Sequence, residues 1–147
     1  MTKSIDFYFD FISPYSYLAH KRFLILKKEK NIKFNYKPVF VGGLLNLQGI
    51  TAPAFIKPKL KHMINDCTLI AKKDKSDFMW NTKFPINSLN ILRGYLFIND
   101  SIKELYLNIM FDAYWKDNLD TSNKEVLKTL LQKCKIISNE FFDGIKN

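Results

Sequence analysis

The residues Ser13-Pro14-Tyr15-Ser16 stand where a run of apolar aromatics, FYFDF, gives way to the helical pattern YLAHKRFLILKK. Their spacing is that of a Cys-x-x-Cys redox motif opening a helix, but here both ends are serine. Ser13 has the residue type and the place of a helix N-cap. Pro14 fits the first helical position, where its missing N–H leaves nothing unpaired. A hydroxyl at a helix N-terminus can donate to an anion, and the helix dipole and first backbone N–H groups favour negative charge there. Taken alone, the pattern has two readings: a hydroxyl that stabilises an anion, or a plain N-cap contributing about 1 kcal/mol. Disulfide exchange at this position is excluded in either case, because the motif holds no sulfur.

Two strands and a helix must position these residues. Residues 5–10 are rich in β-formers, with Asp6 and Asp10 bracketing the aromatics, and predict a largely buried strand. Tyr17, Leu18, Phe23, Leu24 and Leu26 carry a helical pattern to about Lys30, and residues 32–41 alternate as a second strand. Strand, helix and strand with short links make a right-handed βαβ unit. Beyond it, Gly42-Gly43 predicts a turn, 44–47 a short helix, 49–58 a loop and 59–73 a helix. A loop over 76–85 precedes further helices over 88–98, 102–116 and 123–134, with a final turn over 139–144. No convincing third strand follows residue 41, although a stable sheet normally needs three or more strands.

Length and composition limit the remaining possibilities. A chain of 147 residues with a hydrophobic fraction of 47% suits a globular domain with a real core. The net charge of +9 raises the question of a nucleic-acid or membrane partner. The only arginines are Arg22 and Arg93, so lysine supplies the rest of the 23 cations, spread along the chain. The excess of Ile, Asn and Lys matches AT-rich codons, so neither partner is expected, although the surface should favour anionic ligands. Cys67 and Cys134 lie far apart outside any motif and are expected to be reduced thiols. His20 and His62 are isolated, and no metal-ligand spacing occurs. No secretory signal and no apolar run of bilayer length is visible, so a cytoplasmic setting is expected.

The stretch FYFDFISPYSYLA resembles the N-terminus of the kappa-class glutathione transferases and of the 2-hydroxychromene-2-carboxylate isomerases. KPVFVGGLLNLQG, PKLKHMINDCTLIAKK and KFPINSLNILRG continue the resemblance in the family's order and spacing. It implies an α/β, thioredoxin-like and DsbA-like fold, split by a mostly helical insertion. Residues 1–43 would be the N-terminal βαβ half and 44–147 the helical insertion domain. The family's C-terminal segment, with a cis-proline turn, two strands and a last helix, is expected to be missing here. The resemblance further implies glutathione as cofactor, with catalytic Ser13 stabilising its thiolate and Pro14 and Tyr15 lining its site. Gly49 and Ile50 fall where many members have Gly-Asn, so only their backbone could touch glutathione. Asn87 and Arg93 would meet an acidic substrate. The implied activity is that of an isomerase or transferase acting on a small aromatic or electrophilic substrate, in a homodimer. The rival reading is a catalytically inactive relative that serves as a helical interaction fragment.

Overall fold

The computed structural model describes residues 3–146. The chain divides into two compact units on either side of the Phe78–Met79 bond.

In the first unit, β1 (Lys3–Phe9) and β2 (Ile32–Pro38) pair in parallel, with Phe7 opposite Tyr36. Helix α1 (Pro14–Lys30) connects them, so the predicted βαβ unit forms. Its aromatics explain its cohesion. Phe7 meets Phe23 of α1 and Tyr36 of β2 edge to face, and Phe23 stacks on Phe34 at 3.9 Å between centroids. His20 of α1, buried, lies 2.6 Å through Nδ1 from the Tyr36 hydroxyl. The helix ends at Asn31 in the left-handed conformation that asparagine tolerates.

The expectation of a largely buried first strand is corrected: Phe7 and Phe9 face the helix, whereas Asp6 and Tyr8 alternate onto an exposed face and Tyr8 is 67% exposed. Period-two geometry separates residues that the run FYF presents together. On the exposed face Asn35 donates to Ser4 and to Asp6. The second strand stops at Pro38, earlier than the pattern predicts.

Gly42-Gly43 is not a turn but part of helix α2 (Val41–Leu47). A side chain at Gly43 would overlap the Phe40 ring, so the glycine answers a packing need. A 3-10 turn at Pro53–Phe55 interrupts the predicted loop, and α3 (Lys57–Lys73) starts two residues before the predicted helix, with Pro58 tolerated in its first turn.

The second unit consists of α4 (Leu89–Phe97), a 3-10 turn at Asp100–Ile102, α5 (Lys103–Trp115), α6 (Lys124–Lys133) and α7 (Ser138–Gly144). Helix α5 buries Tyr106, Met110, Phe111, Tyr114 and Trp115, and Leu127, Leu130 and Leu131 of α6 join the same core. Asn81, which is buried, ties the preceding loop to this core by donating to the carbonyls of Tyr114 and Leu119. The Phe84–Pro85 bond in that loop is cis. Asn123 caps α6 by accepting from the Glu125 and Val126 N–H groups. Among the described residues there is no third strand, and no helix is long and apolar enough to cross a membrane.

Candidate functional site

Ser13 lies at the carboxyl end of β1, in the short link to α1, as its N-cap with extended backbone angles. Its Oγ accepts from the Ser16 N–H at 3.2 Å and its carbonyl accepts from the Tyr17 N–H. The cap uses one lone pair of Oγ and leaves the hydroxyl hydrogen able to donate. Pro14 has no N–H. The Tyr15 N–H is therefore the one first-turn amide with no acceptor among the described residues. The first turn carries no acidic side chain. Two donors and the positive end of a 17-residue helix thus converge at a half-buried position, an arrangement that favours an anion.

Asp10 holds this link in place, and its role was not read from the sequence. Its carboxylate is buried and accepts from the Ile12 N–H at 3.2 Å and from the Val41 N–H at 2.9 Å. One side chain therefore joins the turn before Ser13 to the first residue of α2, whose own N-cap, Phe40, makes no side-chain cap bond. The only sequence signal was an aspartate closing an aromatic strand.

Tyr15 was expected only to line the site. Its ring is 39% exposed and its hydroxyl donates to Asp66 of α3 at 2.9 Å. Burial, this hydrogen bond and the neighbouring Cys67 all raise the phenol's pKa, so it stays protonated and directed at Asp66. The adjacent Cys67 thiol is buried. Burial and the Asp66 charge push its pKa from 9.0 to about 11, against a smaller opposite pull from the Tyr15 hydroxyl. Cys134, also buried and free, is likewise raised to about 11 by burial. Neither cysteine has the character of a nucleophile at neutral pH.

Gly49 adopts φ 62° after α2, and its N–H bonds the Asn46 carbonyl while the Ile50 N–H bonds the Leu45 carbonyl. Both amides therefore close the end of α2, so a backbone contact from this pair is restricted to carbonyl oxygens. Asn87 and Arg93 belong to the second unit. The Asn87 side-chain oxygen accepts from the Leu89 N–H at the start of α4, and Arg93 donates from Nη1 to the Ile145 carbonyl at 3.3 Å. No group of three or more His, Cys, Asp or Glu side chains able to hold a metal occurs among the described residues.

The profile of the DSBA-like thioredoxin domain matches residues 4–147. The chain is 28% identical over 130 residues to a 2-hydroxychromene-2-carboxylate isomerase of Sphingobium xenophagum, covering 87% of this chain and 66% of that protein. It is 39% identical over 69 residues to glutathione S-transferase kappa 1 of Caenorhabditis elegans, covering 46% of this chain and 30% of that protein. A solved structure of a 2-hydroxychromene-2-carboxylate isomerase superposes with a TM-score of 0.86 at 21% identity, covering 98% of this chain and 71% of that one. The chain thus spans no more than about two thirds of these curated relatives' lengths. With a profile match over nearly its whole length and a superposable fold, the chain belongs to the DSBA-like thioredoxin domain family.

Proposed function

We propose that this chain acts in a glutathione-dependent reaction, the isomerisation of 2-hydroxychromene-2-carboxylate or a kappa-type transfer to a small electrophile, with Ser13 stabilising the glutathione thiolate. The observation that carries the reading is the Ser13 hydroxyl, which caps α1 with a lone pair and keeps its hydrogen for an anion beside the Tyr15 N–H. Curated relatives named for these two activities support the substrate classes.

Bound glutathione would supply a thiolate nucleophile that this site lacks, since position 13 holds oxygen and Cys67 is a buried, protonated thiol. The residues fit that part of the cofactor. Ser13 Oγ–H and Tyr15 N–H donate to negative charge, and the α1 dipole lowers its energy further. The Tyr15 phenol, held by Asp66, serves as a wall and not as a proton donor to the anion. Gly49 and Ile50 offer carbonyls, which suit the N–H groups of a peptide-like ligand and not its carboxylates.

The test is isomerisation of 2-hydroxychromene-2-carboxylate by the purified chain with and without glutathione, beside conjugation of an electrophilic aromatic halide. Glutathione-dependent turnover of either substrate that falls in Ser13→Ala supports the reading, and turnover indifferent to Ser13 refutes it. The second reading, a non-catalytic relative, is favoured by one observation: the Gly49 and Ile50 amides are both engaged within α2's own end. It predicts that calorimetry with millimolar glutathione detects no binding.

A further inference from the structure

We propose that the second unit carries a separate binding cleft for a small organic anion, with Arg93 and Lys124 gripping an oxyanion headgroup and the part-exposed Phe142 ring contacting an aromatic body. The cleft is built wholly from residues of α4, of α6 with Ser122 ahead of its cap, and of α7 with the residues after it, and offers about 540 Å³ open to solvent on one side. That volume falls within the roughly 300–1,000 Å³ common for small-molecule sites.

Its charge balance points to the ligand. Arg93, Lys124, Lys128 and Lys146 line it against one carboxylate, Asp143. Asp143 is paired with Lys146 at 2.7 Å, and Lys128 is paired with Glu125 at 2.9 Å. Arg93 and Lys124 therefore bring positive charge that no carboxylate of the lining offsets. The single 3.3 Å bond from Arg93 Nη1 to the Ile145 carbonyl anchors one corner of the guanidinium. Its other N–H groups form the planar fork that matches a carboxylate or phosphate. Lys124 Nζ sits 5.3 Å from the centre of the Phe142 ring, which holds the ammonium over an aromatic face. Lys124 is also the first residue of α6, whose dipole adds positive potential there. Cations set beside the Phe142 ring in one concave site favour an oxyanion that carries an aromatic group over a bare ion. The cleft does not depend on the chemistry proposed at Ser13.

Calorimetry and amide chemical shifts of the 147-residue chain with phenyl phosphate, inorganic phosphate and benzoate, at fixed ionic strength, test the proposal. Phenyl phosphate should bind saturably at one site, several-fold tighter than inorganic phosphate, and shift amides of α4, α6 and α7. Arg93→Gln should weaken it about ten-fold or more, as expected for loss of a charged hydrogen-bond donor. Lys124→Gln, at an exposed position, should weaken it about three-fold. Lys33→Gln in β2 removes the same charge elsewhere and should change nothing. Ser13→Ala should also leave binding unaltered. Should Arg93→Gln fail to fold, Lys124→Gln against Lys33→Gln decides the matter alone. Absence of saturation, or equal binding by Lys124→Gln, Arg93→Gln and Lys33→Gln, overturns the proposal.

Discussion

Ser13 caps α1, and the proposed donation of its hydroxyl to a thiolate can be separated from the cap by comparing two substitutions. Ser13→Ala removes both the cap and the outward donor, whereas Ser13→Asp keeps a strong N-cap and replaces the donor with negative charge. The Ser16 N–H loses its side-chain acceptor only in the alanine variant, so about 1 kcal/mol of stability should go, or about 2–8 °C in Tm. The aspartate variant should unfold close to the wild type. The chemistry should order the variants the other way. Loss of one donor to an anion is worth about 1.5–3 kcal/mol, which raises the pKa of a bound thiol by about 1–2 units. A carboxylate about 4 Å from the thiolate adds a repulsion of up to about 4 kcal/mol at an effective dielectric of 20. Ser13 is half exposed, so screening reduces this, but the aspartate variant should still show the higher thiol pKa and the slower turnover. The assay is thiolate absorbance of bound glutathione against pH, beside thermal unfolding of all three proteins. If Ser13→Asp is stable and turns over within two-fold of the wild type, the hydroxyl is a cap and nothing more.

Four further outcomes are expected. Asp10→Ala strands two backbone amides, Ile12 and Val41, and should lower stability by about 1–3 kcal/mol in urea unfolding, with faster hydrogen exchange at Val41. Gly94→Ala places a methyl against the Phe141 ring and the Tyr106 hydroxyl, which itself bonds the Ile91 carbonyl; overpacking should destabilise the chain by about 1–3 kcal/mol, and an unchanged urea midpoint would contradict the packing. Cys67 and Cys134 both have folded pKa values raised from 9.0 to about 11, so the folded state holds protons that the unfolded state releases. Their stabilising contribution is complete below pH 9 and should decline as pH rises through about 11, visible as falling urea midpoints across that window, with native thiols slow to alkylate at pH 8. With serine at both ends of the motif and two buried cysteines, the chain should leave insulin disulfides intact; reduction above a blank that is lost on changing either cysteine would show an unrecognised redox site.

The βαβ unit and the place of Ser13 were legible because local rules dictate them. Alternation marks strands, three- and four-residue spacing marks α1, and Ser-Pro marks a helix start whatever surrounds it. The helical character of the second half was legible for the same reason. What the chain could not reveal locally are the contacts that join residues distant in sequence. Asp10 reaches Val41 across 31 positions, and Tyr15 reaches Asp66 across 51; neither partner announces itself by type or spacing. Gly43 read as turn punctuation because glycine permits a turn, and only the position of the Phe40 ring decides that it is needed inside a helix. The strand over residues 5–10 read as largely buried because its aromatics stand together, and only the pleat turns Tyr8 outward. The cleft at Arg93 belongs to the same class. Its cations are scattered over residues 93–146, and converge only because α4 and α6 both pack on α7. Sequence alone therefore determined the elements and the serine cap at a helix start, since those depend on neighbours along the chain. The partners that hold that cap in place were decided by tertiary packing, which brings together groups whose separation along the chain carries no signal.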